Sequence, residues 1–119
     1  AHRGCIFYQA WLISRAIKHP LSLALLSLKD EKKTRQAMES VIGQISLLIQ
    51  NDILHVDLHP GNIVVDGADQ IFLVDFDKGQ IQPGSKEKLR NRYLSRWQRA
   101  VTKHRLPDIL TEMLQAGLN

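Results

Sequence analysis

Residues 31–50 carry an apolar side chain at every third or fourth position: Met38, Val41, Ile42, Ile45, Leu48 and Ile49. That period sets all six on one side of an α-helix, and Asn51 is a fitting stop. Residues 86–103 repeat the pattern with Leu89, Tyr93, Trp97, Ala100 and Val101. Pro107-Asp108 opens a third helical segment, in which Ile109, Leu110, Met113 and Leu114 are apolar. The run from Leu21 to Leu28, opened by Pro20, is too apolar for a lone exposed helix. It has no basic polar face of its own, so packing on a core is expected over lying at a membrane surface.

The remaining apolar runs are short. Ile53-Leu54, Ile63-Val64-Val65 and Ile71-Phe72-Leu73-Val74 have strand length, and Asp66-Gly67 between the last two signals a tight turn. A hairpin over 63–74 follows. The segment from Cys5 to Ser14 is β-rich and aromatic and also reads as strand.

The hairpin matters for chemistry because of what flanks it. Residues 55–62 read His-Val-Asp-Leu-His-Pro-Gly-Asn, and Asp75-Phe76-Asp77 follows the returning strand. Pro60-Gly61 keeps the first of these segments out of helix. Asn62 enters the hairpin and Asp75 leaves it, so the two are neighbours in space. Phosphoryl transfer from a nucleotide requires a carboxylate to orient and deprotonate the attacking hydroxyl, and oxygen ligands for magnesium. Asp57 fits the first role, and Asn62 and Asp75 the second.

These residues carry a resemblance. The segment looks like the catalytic and metal-binding loops of the protein-kinase-like superfamily, with Val56 and Asp77 in place of that pattern's Arg and Gly. His59-Pro60-Gly61-Asn62 also occurs in aminoglycoside and choline kinase-like proteins and in atypical kinases of the UbiB type. Leu73-Val74-Asp75-Phe76-Asp77-Lys78-Gly79 is most similar to 3-deoxy-D-manno-octulosonic acid (Kdo) kinase. Asn91-Arg92-Tyr93-Leu94-Ser95-Arg96-Trp97 resembles the basic C-terminal helix of that family.

The resemblance implies an α+β fold: the α-rich C-terminal lobe of a kinase, with a small β-hairpin carrying the metal ligands. It implies ATP and Mg2+ as cofactors and a Kdo-bearing lipopolysaccharide as acceptor. His55 would brace the loop, and His59 would lie near the transferring phosphate. Ser14, Arg15 and Ile17 would form the hinge that touches adenine. Lys78, Arg92 and Arg96 would contact the acceptor. Residues 1–17 would be the last strands and hinge of the N-terminal lobe, and residues 18–119 the C-terminal lobe. A glycine-rich phosphate loop and its paired lysine are absent from the sequence, so the chain is expected to be an incomplete catalytic domain, inactive on its own. Two alternatives stay open: a small-molecule kinase of the aminoglycoside or choline type, and an inactive kinase-like fragment that acts as a binding surface.

Composition narrows this further. A chain of 119 residues, 44% hydrophobic, is one domain able to bury a core. The single cysteine, Cys5, excludes an intrachain disulfide, fits a reducing cytosol and reads as a small apolar strand residue. No apolar run approaches spanning length, and no secretory signal is visible. The formal charge is +4, and the helix over 86–103 supplies much of it through Lys86, Lys88, Arg90, Arg92, Arg96, Arg99 and Lys103. That face is either a solvated surface or an attraction to anionic lipid head groups, at about 1 kcal/mol per cation. Nucleic acid is disfavoured because aromatic residues do not alternate with the basic face. No obligate protein partner is evident. With the resemblance, the expected location is the cytoplasmic face of the bacterial inner membrane, held peripherally.

Overall fold

The computed structural model describes Phe7–Tyr8, as backbone, together with residues 20–75 and 79–118. Strand β1 is Phe7–Tyr8 and β2 is Leu21–Ser22. Helices α1 (Leu23–Lys29) and α2 (Glu31–Gln50) follow, then β3 (Ile53–His55), a 3₁₀ turn (Pro60–Asn62), β4 (Ile63–Val65), β5 (Ile71–Val74) and β6 (Gly79–Ile81). The chain closes with α3 (Lys86–Lys103) and α4 (Ile109–Leu118). The result is a mixed helix-and-sheet unit of the kind a kinase C-terminal lobe has.

The helices start where side chains satisfy the free backbone donors of the first turn. Ser22, Asp30 and Ser85 accept from the amides of Leu25, Lys33 and Lys88, each at 3.1 Å. The apolar stripe of α2 is the centre of the molecule: Met38, Val41 and Ile45 are completely buried. Around it pack Leu23 and Leu26 of α1, Leu110 and Leu114 of α4, and Trp97 of α3. At Gly117 the backbone of α4 comes so near α2 that an added Cβ would lie 2.6 Å from Ile42 Cδ1.

The sheet order is β1-β5-β4-β2. β4 and β5 are the expected hairpin, with Ile63 opposite Leu73 and Val65 opposite Ile71. Its turn is built by Asp66, whose Oδ1 accepts from the amides of Ala68 and Gln70 at 2.9 and 2.8 Å. Two features differ from the sequence reading. The apolar run at 21–28 begins as strand, because Leu21 and Ser22 pair with Val65 and Val64 before α1 starts. The segment after Gly79 also forms a strand, β6, paired antiparallel with β3. The strands expected over residues 5–14 lie outside the described residues except for Phe7–Tyr8, which pairs parallel with β5.

Candidate active site

β3 and the 3₁₀ turn hold the loop between them, and three connections fix it. His55 is buried, and its Nε2 lies 2.8 Å from the carbonyl oxygen of Val74, the residue before Asp75. The backbone N–H of His55 donates to Tyr93 Oη, which in turn donates to the carbonyl of Ile53, both at 2.8 Å. The tyrosine of α3 therefore satisfies two backbone groups of β3 with one hydroxyl. Inside the loop, Asn62 Nδ2 donates to the carbonyl oxygen of Asp57 at 2.8 Å. His55 thus binds the loop to the hairpin exit, and Asn62 binds the hairpin entry to the loop.

Asn62 and Asp75 flank the hairpin at its two open ends, as the 63–73 pairing requires. Asn62 is buried and has its amide nitrogen committed to Asp57, which leaves Oδ1 as its remaining donor atom for an ion. Asp75 is exposed and sits at a φ of +59°. Left-handed backbone is uncommon for a residue other than glycine, though Asp tolerates it, and such positions cluster at functional sites. An amide oxygen and a carboxylate are both hard donors, the chemistry magnesium prefers. No group of three or more His, Cys, Asp or Glu side chains converges among the described residues.

Asp57 is half-buried, and its Oδ1 accepts from both Nε and Nη2 of Arg96, at 2.9 and 2.7 Å. Arg96, expected as an acceptor contact, turns inward from the edge of the apolar stripe onto the loop. The signal was in the helical spacing: Arg96 lies three residues after Tyr93 and four before Ala100, on their side of the helix. The rest of the basic face is also less free than its sequence suggests. Lys86 pairs with Asp52, Arg90 with Glu87 at 3.7 Å, and Arg92 donates to Gln82 at 3.1 Å. Tyr93 is the residue that sequence reasoning missed, taken only for an apolar position.

His59 is the third side chain at Asp57. Its Nδ1 accepts from the amide of Gly61 at 3.1 Å, so in the neutral ring the proton sits on Nε2, 3.9 Å from Asp57 Oδ2. Glycine suits position 61 because a Cβ would meet His59 Cε1 at 2.8 Å. Burial holds the His59 pKa below its usual value of 6.5; the positive charge of Arg96 adds to this, as do His104 and His55, and Asp57 opposes it. The imidazole is therefore neutral at pH 7. An open, mostly apolar cleft of about 380 Å³ runs beside it, lined by Ala24, Leu25 and Leu28 of α1, by Pro60 and Gly61, and by Ala100, His104 and Leu106.

The lowered His59 pKa has a thermodynamic sign. The unfolded chain binds a proton at this residue near pH 6.5 and the folded chain only at lower pH, so stability falls as pH drops through that window. His59→Gln removes this contribution. Urea unfolding measured at intervals from pH 7 to pH 5 is expected to show a shallower acid decline in the variant. Equal slopes for variant and parent would mean that His59 has the same pKa in both states.

The hinge residues Ser14, Arg15 and Ile17, and Lys78, lie outside the described residues. No helix among the described residues is long and apolar enough to cross a membrane.

Known proteins resemble this sequence. The 3-deoxy-D-manno-octulosonic acid kinase of Vibrio vulnificus (strain CMCP6) is 30% identical over 106 residues, which cover 89% of this chain and 44% of that protein. The protein of the same name from Xylella fastidiosa (strain 9a5c) is 32% identical over 99 residues, 82% of this chain and 38% of its own length. The phosphorylase b kinase gamma catalytic chain, liver/testis isoform, of Bos taurus is 46% identical over 58 residues, 48% of this chain and 14% of its own. The chain thus spans less than half the length of the curated relatives it matches. The model of the lipopolysaccharide kinase (Kdo/WaaP) family matches residues 1–116, and with that coverage the chain belongs to this family.

Proposed function

We propose that the protein takes part in ATP-dependent phosphorylation of a sugar hydroxyl, that of Kdo in the lipopolysaccharide inner core. The observation that carries this reading is the loop itself. Asp57 presents a carboxylate at the loop's centre, its backbone is tied to Asn62, and His55 ties the same loop to the exit strand of Asp75. Family membership and the names of the Vibrio and Xylella relatives support the choice of acceptor.

In this reading the acceptor hydroxyl gives its proton to Asp57. Its oxygen forms a bond to the γ-phosphorus of ATP as the bond from that phosphorus to the β,γ-bridging oxygen breaks, and the electron pair leaves with ADP. Little covalent work falls to the protein, because phosphoryl transfer is governed by positioning and charge. Asn62 and Asp75 would hold Mg2+. Bound there, the ion would neutralise phosphate charge. Neutral His59 directs an N–H toward the same space and can donate to a phosphate oxygen. The exposed cations Lys88, Arg99 and Lys103, with Arg92, form a surface suited to an anionic lipid acceptor and to peripheral residence on the cytoplasmic face of the inner membrane.

The test is transfer of label from γ-labelled ATP by the full-length protein carrying this sequence, with magnesium and with three acceptors: a Kdo-bearing lipid, an aminoglycoside and choline. Label on the Kdo-bearing lipid alone is expected. Label on the antibiotic or the amine alone would move the protein to the small-molecule kinases. Label on none would leave a binding surface.

A further inference from the structure

We propose that Arg96 is a positioning residue for the transfer: its two hydrogen bonds to Oδ1 of Asp57 fix the orientation of the carboxylate that takes the acceptor's proton. The inference rests on the reading of Asp57 as proton acceptor.

The geometry is asymmetric in an informative way. An arginine that merely neutralised an aspartate would pair with both carboxylate oxygens, its fork matching theirs. Here Nε and Nη2 converge on one oxygen, at 2.9 and 2.7 Å. Oδ2 lies on the other side, toward His59 Nε2. The carboxylate is thereby held in one rotation about its own axis. Backbone placement comes separately, from Asn62. The loop thus has one anchor for the position of Asp57 and a second for the orientation of its side chain.

A cation beside a carboxylate favours the charged form and so weakens it as a base. For a carbonyl reaction that loss would be serious. In phosphoryl transfer the transition state is loose, and orienting the hydroxyl outweighs base strength. The pairing also explains why a helix carrying so many cations turns one of them inward. The Arg96 side chain is itself only 29% exposed, consistent with its turn toward the loop.

The experiment uses the full-length protein with Arg96→Gln, Arg96→Lys, Asp57→Asn and the Asp57→Asn/Arg96→Gln pair. Arg96→Gln is expected to lower kcat about 10- to 100-fold, the scale of a misplaced catalytic group. KM for Mg–ATP stays unchanged. Arg96→Lys recovers only part of kcat, since an ammonium lacks the planar fork. In the Asp57→Asn background, Arg96→Gln is expected to cost almost nothing more, because it acts through the group already removed. A parental kcat in Arg96→Gln, with Asp57→Asn inactive, would overturn the positioning role alone. A full further loss in the double variant would show that Arg96 acts elsewhere and would also overturn it. A parental rate in Asp57→Asn would instead remove the reading of Asp57 on which the inference stands.

Discussion

Asp57→Asn is expected to lower turnover about 10²–10⁴-fold at saturating Mg–ATP and acceptor, the usual worth of general-base assistance. The substitution is nearly isosteric. Its side-chain oxygen still accepts from Arg96, and the backbone carbonyl of residue 57 still accepts from Asn62, so the loop keeps its shape. What disappears is the ability to take a proton. Because Asn62 and Asp75 are untouched, nucleotide affinity should hold. Turnover measured against both substrates, with nucleotide binding followed by calorimetry, separates the two effects. A parental kcat would remove Asp57 from the chemistry. A loss confined to nucleotide affinity would make it a phosphate-side residue instead.

The parts of this site that could be read from the sequence are those written locally. Ile63–Val65 and Ile71–Val74 were legible as a hairpin because two apolar runs flank Asp66-Gly67, and the aspartate does make the turn. Helices α2 and α3 were legible to the residue because their apolar period is long. The distant connections were not. Arg96 and Asp57 are separated by 39 positions; helical spacing sets Arg96 beside Tyr93 and Ala100, but nothing in it names Asp57 as the partner. Tyr93 fits an apolar stripe equally well with or without a hydroxyl, so its two bonds to β3 left no trace in the pattern. β6 was missed for a similar reason. Gly79-Gln80-Ile81 has no strand signature, and it forms because β3 offers it a partner.

Trp97→Ala is expected to cost about 3–5 kcal/mol of folding stability, the range for truncating a buried aromatic side chain. Trp97 is 1% exposed and is among the largest side chains buried in the core. Its Nε1–H donates to the carbonyl of Leu110 at 3.2 Å, so it fastens α3 to α4 by packing and by a hydrogen bond together. A domain is stable by only about 5–15 kcal/mol, so the change takes a large part of the total. The consequence reaches the site, since α3 presents Tyr93 to β3 and Arg96 to Asp57 from the turn that leads into this residue. Trp97→Phe keeps most of the packing and loses the bond, and it should cost about 1 kcal/mol. Urea unfolding of the two variants beside the parent is the measurement. Near-equal midpoints for alanine and phenylalanine would assign the stabilisation to the hydrogen bond instead of the packing. A parental midpoint for alanine would mean that α3 is held against the core by its other contacts, and the active-site loop would then keep both of its braces without this tryptophan.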